Sequence, residues 1–116
     1  MLCAFDLDGC IDAFPREFQS IMSALKAAGH RIVVVTGTAD VAATEQVFHE
    51  KAEYLASLGC GECYDQLIVV AHPSEDVADM KADVLEDIEA SVLFDNRKKN
   101  AKKAPCLTLV PWQSRK

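Results

Sequence analysis

Asp6 and Asp8 stand two residues apart in FDLDGCID, behind an apolar run and in front of Gly9. Near a strand end, residues at that spacing tend to share a side. Left alone, two such carboxylates repel, and one takes up a proton. Asp95, in LFDN, is a third acid closing an apolar run. A bound hard dication is the simplest relief, and an all-oxygen donor set suits Mg²⁺. Asp6, Asp8 and Asp95 are therefore the expected metal ligands. Magnesium keeps waters and accepts phosphate oxygens, so the same place invites a phosphate. Thr36 adds a hydroxyl, Gly37 an unobstructed backbone, and Lys81 a point charge able to reach a phosphoryl oxygen. Such groups would neutralise charge on a phosphoryl group in transfer. Asp6 can attack phosphorus, while Asp8 can protonate the leaving oxygen and later deprotonate water.

These residues need elements that bring them together, and the hydrophobic pattern supplies them. MLCAFDL and DQLIVVA read as short buried strands, RIVVVTG as a central strand apolar on both faces, and ASVLFD and CLTLV as the fourth and fifth strands. Between them lie helical patterns. Pro15 suits a first turn, and Phe14, Phe18, Ile21, Met22, Leu25 and Ala28 follow at helical spacing up to Gly29. Asp40 to Leu58 reads as a second helix, with Val41, Phe48, Ala52 and Leu55 on one side. His72-Pro73-Ser74 is expected to turn the chain. Val77, Met80, Val84, Leu85 and Ile88 mark a third helix, and residues 97–104 a short basic helix or turn. Strands alternating with helices predict right-handed crossovers and a parallel sheet covered on both faces. Ligands bind beyond the carboxyl ends of such strands. Asp6, Asp8, Thr36, Asp95 and Asn96 all fall at that end.

The 116 residues allow one domain, residues 1–116, and half of them are hydrophobic. No apolar run approaches the roughly 20 residues of a membrane span. The opening MLCAFDLDG lacks the basic n-region of a signal peptide. A soluble cytoplasmic protein with reduced thiols is the expectation. Cys3 and Cys106 fit strand patterns and read as packing residues. Cys60-Gly-Glu-Cys63 offers half a zinc site or a redox pair, with His49 and His72 as loose further ligands, and is expected to be packing or turn cysteines. The net charge of −6 argues against a general nucleic-acid coat. Yet Arg97, Lys98, Lys99, Lys102 and Lys103 lie together, and no acid follows residue 96. That run reads as a solvated face that could also steer a polyanion.

FDLDG, the apolar strand ending in Thr36, Lys81 and the FDN of residues 94–96 resemble, in order, the four motifs of the haloacid dehalogenase superfamily. The resemblance spans residues 2–96. It implies a Rossmann-like three-layer α/β sandwich with a five-stranded parallel sheet ordered 5-4-1-2-3. It also implies a Mg²⁺-dependent phosphomonoesterase, a hydrolase working through an aspartyl-phosphate. Asp6 would be the nucleophile and Asp8 the general acid/base. Thr36, with Gly37 behind it, and Lys81 would hold phosphate; Asp6, the Asp8 carbonyl and Asp95 would hold the metal. Cys10 departs from the usual threonine or valine, and Asn96 stands where a second acid is common. The short connections match capless members. TGT…KADVLEDI…LFDNRKKN is similar to the phosphatase domain of phage polynucleotide kinases, which implies nucleic-acid ends as substrates. A small nucleotide or sugar phosphate is the competing substrate, and a non-catalytic phosphate-binding module the competing role. A homo-oligomer is compatible with all of these.

Overall fold

The computed structural model describes residues 1–72 and 77–111. Its strands are β1 (Leu2–Phe5), β2 (Arg31–Thr38), β3 (Gln66–Ala71), β4 (Val92–Phe94) and β5 (Leu107–Leu109). Its helices are α1 (Pro15–Ala27), α2 (Thr44–Ser57), α3 (Val77–Asp87) and α4 (Lys98–Lys103). Pro73 and Ser74 of the expected turn lie outside the described residues.

These strands pair in parallel throughout, and their order is β3-β2-β1-β4-β5. This is the expected 5-4-1-2-3 order read from the other edge. The period-two geometry of a strand sends alternate side chains to opposite faces. Cys3, Phe5, Ile32, Val34, Leu67 and Val92 join one core with Phe18 and Met22 of α1 and Leu55 of α2. Ala4, Val33, Val35, Val70 and Leu93 join the other, with Leu85 buried and Met80, Val84 and Ile88 packed against it. The sheet is thus the middle layer of three, which explains why its inner strands are apolar on both faces, whereas Leu107 and Leu109 of the edge strand β5 are exposed.

The second helix differs from expectation. It begins at Thr44 rather than Asp40, because polar side chains satisfy the backbone before it. Thr38 Oγ1 accepts from the Asp40 N–H at 3.2 Å, and Asp40 Oδ1 accepts from the Ala43 N–H at 3.2 Å. Such local bonds compete with helix formation. Val41 and Phe48, expected on its buried side, are exposed, and Leu55 carries its fully buried contact.

Between β1 and α1 the chain makes an irregular turn over Leu7–Ile11, with Gly9 at φ 78°. That left-handed conformation favours glycine. A side chain there would also press on Asn96, whose Nδ2 lies 3.0 Å from the Cβ position.

Candidate functional site

The site starts from two phenylalanines. Phe5 and Phe94 are in register on neighbouring strands, and their rings stack with centroids 4.5 Å apart. Phe18 of α1 meets both edge-on, at 5.9 and 6.0 Å. This triplet fixes the ends of β1 and β4, so the next residues, Asp6 and Asp95, emerge side by side. The Asp6 N–H donates to the Phe94 carbonyl at 2.8 Å, which extends the ladder by one bond.

Both carboxylates are buried, and both face Lys81. Its Nζ lies 2.8 Å from Asp6 Oδ1 and 3.4 Å from Asp95 Oδ2. Asp95 is further held by the Arg97 N–H at 2.9 Å and by Asn100 Nδ2 at 2.9 Å. The relief of like charge expected from a dication is therefore supplied, for these two acids, by an ammonium group. Burial disfavours the charge on Lys81, but Asp6 and Asp95 outweigh it and hold its pKa above the ordinary value. Burial pushes Asp6 up to about 6 against the attraction of Lys81, with Asp95 and Asp8 adding to the rise. Burial likewise drives the Cys10 thiol upward, and Asp6 and Asp95 reinforce it. Cys10 is thus a neutral donor, reaching the Phe94 carbonyl at 3.5 Å.

Asp8 sits differently. It is exposed, and its Oδ2 accepts from Lys51 Nζ of α2 at 2.6 Å and from Thr36 Oγ1 at 3.2 Å. Thr36 itself is fully buried, two residues before the end of β2. Gly37 follows it, and a Cβ there would lie 2.6 Å from Val77 Cγ1. Only glycine lets α3 start this close to β2. Asp6, Asp8, Thr36, Gly37, Lys81 and Arg97 line one recess of about 280 Å³. All the expected site residues but Asp95 open onto it, and Asp95 lies just beneath, behind Lys81 and Asn100.

As arranged, no group of three or more histidine, cysteine, aspartate or glutamate side chains among the described residues could hold a metal ion. His49, His72, Cys60 and Cys63 accordingly form no zinc set. The donor chemistry near Asp6 still suits a hard cation. Asn96 Oδ1, next to Gly9, is buried with no hydrogen-bond partner among the described residues. An orphaned acceptor of this kind calls for an ion or a water.

Lys51 was not readable as a site residue, although it is the only lysine or arginine between Arg31 and Lys81. Its lone positive charge on an otherwise acidic helix was the available signal. Tyr54, one turn on, donates to Asp12 Oδ2 at 3.0 Å and fastens the same helix to the same turn.

This arrangement places the chain among Rossmann-like proteins with a polar recess at the carboxyl edge of a parallel sheet. No family model matches it, and no curated protein does. Solved structures do. A universal stress protein in complex with cAMP is 13% identical, with a TM-score of 0.63 and 98% of each chain covered. A universal stress protein from Archaeoglobus fulgidus is 16% identical, with a TM-score of 0.65, 94% of this chain and 91% of its own covered. A member of that family from Burkholderia pseudomallei is 17% identical, with a TM-score of 0.53, 94% of this chain and 95% of its own covered. At such identities the likeness concerns the fold.

These findings correct the haloacid dehalogenase resemblance. The matching structures named as a family are universal stress proteins, not phosphatases. The membership in that superfamily, the Mg²⁺-dependent phosphomonoesterase function, the assignment as an enzyme and the hydrolase description fall with it. The physical reason is that Rossmann-like topology brings the residues after β1 and β4 together at one edge whatever their chemistry, so two acids there do not by themselves define a phosphatase. Here Asp6 and Asp95 share the Lys81 ammonium, and Asp8 is occupied by Lys51 and Thr36. Among the described residues, no helix is long and apolar enough to cross a membrane.

Proposed function

We propose that the chain binds a small phosphorylated ligand, a nucleotide foremost, in the recess at the ends of β1 and β2. The observation that carries this reading is the convergence of Thr36, Gly37, Lys81 and Arg97 on one open recess of about 280 Å³ at the carboxyl edge of a parallel sheet. Thr36 offers a hydroxyl, Gly37 a bare backbone, and Arg97 a planar cation suited to phosphate. The cAMP bound by one universal stress protein of similar fold supports a nucleotide over other phosphates.

The charges argue for Mg²⁺ as a co-ligand. Asp6, Asp8 and Asp95 already match Lys51, Lys81 and Arg97 in number. An incoming phosphate therefore needs added positive charge, and oxygen donors suit a hard cation. Asp6, Asp95 and the Asp8 carbonyl are the proposed ligands once the cation displaces the Lys81 ammonium that holds the two carboxylates here, with phosphate oxygens and water completing the shell. Lys98, Lys99 and Lys102 of α4 follow Arg97, which favours ligands carrying several phosphates, nucleic-acid ends included. A second copy of the chain remains a compatible partner in this reading.

Titration calorimetry with ATP, AMP, cAMP and inorganic phosphate, with and without Mg²⁺, tests it. Nucleotide binding strengthened by Mg²⁺ is expected, weakened about tenfold in Thr36→Val, the equivalent of one lost hydrogen bond of about 1.4 kcal/mol. Absence of binding by all four ligands, or binding indifferent to both Thr36→Val and Arg97→Ala, would refute it.

A further inference from the structure

Two cysteines stand apart from this recess. Gly59, at φ 81°, ends α2, and the Cys60 N–H donates back to the Leu55 carbonyl at 2.9 Å. The Cys63 N–H then donates to the Cys60 carbonyl at 3.2 Å. A turn closed in this way brings its end Cα atoms within about 7 Å. A disulfide spans about 4.4–6.8 Å between Cα atoms, so the backbone already holds the pair near bonding range.

The side chains are arranged unequally. Cys60 is fully buried, its Sγ directed at the Leu58 and Pro15 carbonyls at 3.9 and 4.0 Å. Cys63 is 6% exposed and borders a surface recess with Gln19, Ser23, Gly59 and Glu62. Ser23 Oγ lies 3.3 Å from Cys63 Sγ, where its hydroxyl can donate to a thiolate. The two thiols also sense each other: burial first, then the charge of Cys63 and a hydrogen bond to it, push Cys60 up to about 11.

We propose that Cys60 and Cys63 form a redox-active dithiol, in which Cys63 is the attacking thiol and Cys60 the resolving one. The oxidant is a small-molecule disulfide. The Cys63 thiolate attacks one sulfur of that disulfide, a mixed S–S bond forms, and one small thiolate leaves. Cys60 then loses its proton and attacks Cys63 Sγ. The second small thiolate leaves, and the protein disulfide closes. The protein pair gives up two electrons and two protons, and the oxidant becomes two thiols. The dithiol is independent of the ligand proposed above, because neither cysteine lines the recess at β1 and β2.

The test equilibrates the native full chain with excess oxidised glutathione, traps free thiols by alkylation, and maps the peptides by mass. The five free cysteines should fall to three, with a Cys60–Cys63 bridge and the loss of two hydrogens. Cys60→Ser and Cys60→Ala should each instead hold a stable glutathione adduct on Cys63. Retention of all five thiols overturns the proposal. So does a lasting glutathione adduct in the unsubstituted protein, or a bridge to Cys3, Cys10 or Cys106. The measurement on the unsubstituted chain decides the matter even where a Cys60 variant fails to fold.

Discussion

Asp6 is almost wholly enclosed, and the Lys81 ammonium bonded to it is shared with Asp95. Its raised pKa is a statement about stability. Between its ordinary 3.8 and about 6, the folded chain binds more protons at this group than the unfolded chain. The group's contribution is therefore fully present below about 4 and is lost as pH rises through about 6. In Asp6→Asn this dependence disappears. Urea unfolding across pH 4 to 7 should show the parent losing a few kcal/mol relative to the variant, on the order of 1.4 kcal/mol for each tenfold difference in proton affinity between the folded and unfolded chains. Parallel pH profiles for the two proteins would contradict it. The positions of Asp6 and Asp95 were legible because an apolar run that stops at a polar residue marks a strand tip, and Thr36 was legible as the end of its apolar run although β2 continues to Thr38. Their partners were not. Lys81 is 75 residues from Asp6 along the chain, and Lys51 is 43 from Asp8. Nothing local in the sequence distinguishes an ammonium group from a metal ion as the neutraliser.

The recess depends on how closely α3 approaches the end of β2. Val77 opens α3, and Lys81 is one turn later on the same face. A methyl group on Gly37 would occupy the place of Val77 Cγ1, so α3 must shift outward and carry Lys81 with it. Gly37→Ala is expected to lose about 1–3 kcal/mol of stability, the usual range for overpacking. It should also weaken nucleotide binding, read by denaturant titration and calorimetry together. Full stability with full binding would mean that α3 yields without cost. The elements themselves were largely readable. α1 begins at Pro15, and β1, β3, β4 and β5 fall inside their apolar runs while β2 extends one residue past its own to Thr38, because apolar runs bounded by polar residues leave a clear pattern. The start of α2 was not readable. Asp40 and Thr38 bond the backbone locally, and an apolar Val41 in that stretch mimicked helical periodicity.

At the scale of the molecule, β1 is the middle of the sheet, flanked by β2 and β4. That order was legible through the resemblance to one Rossmann-like lineage, and it stood although the lineage did not. Strand order follows from right-handed crossovers and two-sided burial, whereas chemistry follows from a handful of contacts. A chain cut after Glu89 loses β4, α4 and β5, and leaves Cys3, Ala4 and Phe5 along an open edge. It should show no cooperative thermal transition by circular dichroism and should bind a hydrophobic dye; a sharp transition would show that β4 is dispensable. The pairing of Cys3 with Val92 has a further consequence during synthesis. Translation proceeds at about 5–20 residues per second, so the first strand made waits several seconds for its second neighbour to leave the ribosome. Through that interval a nascent chain carries an apolar ribbon with one side unpaired, and a chaperone that shields extended segments has its opportunity there.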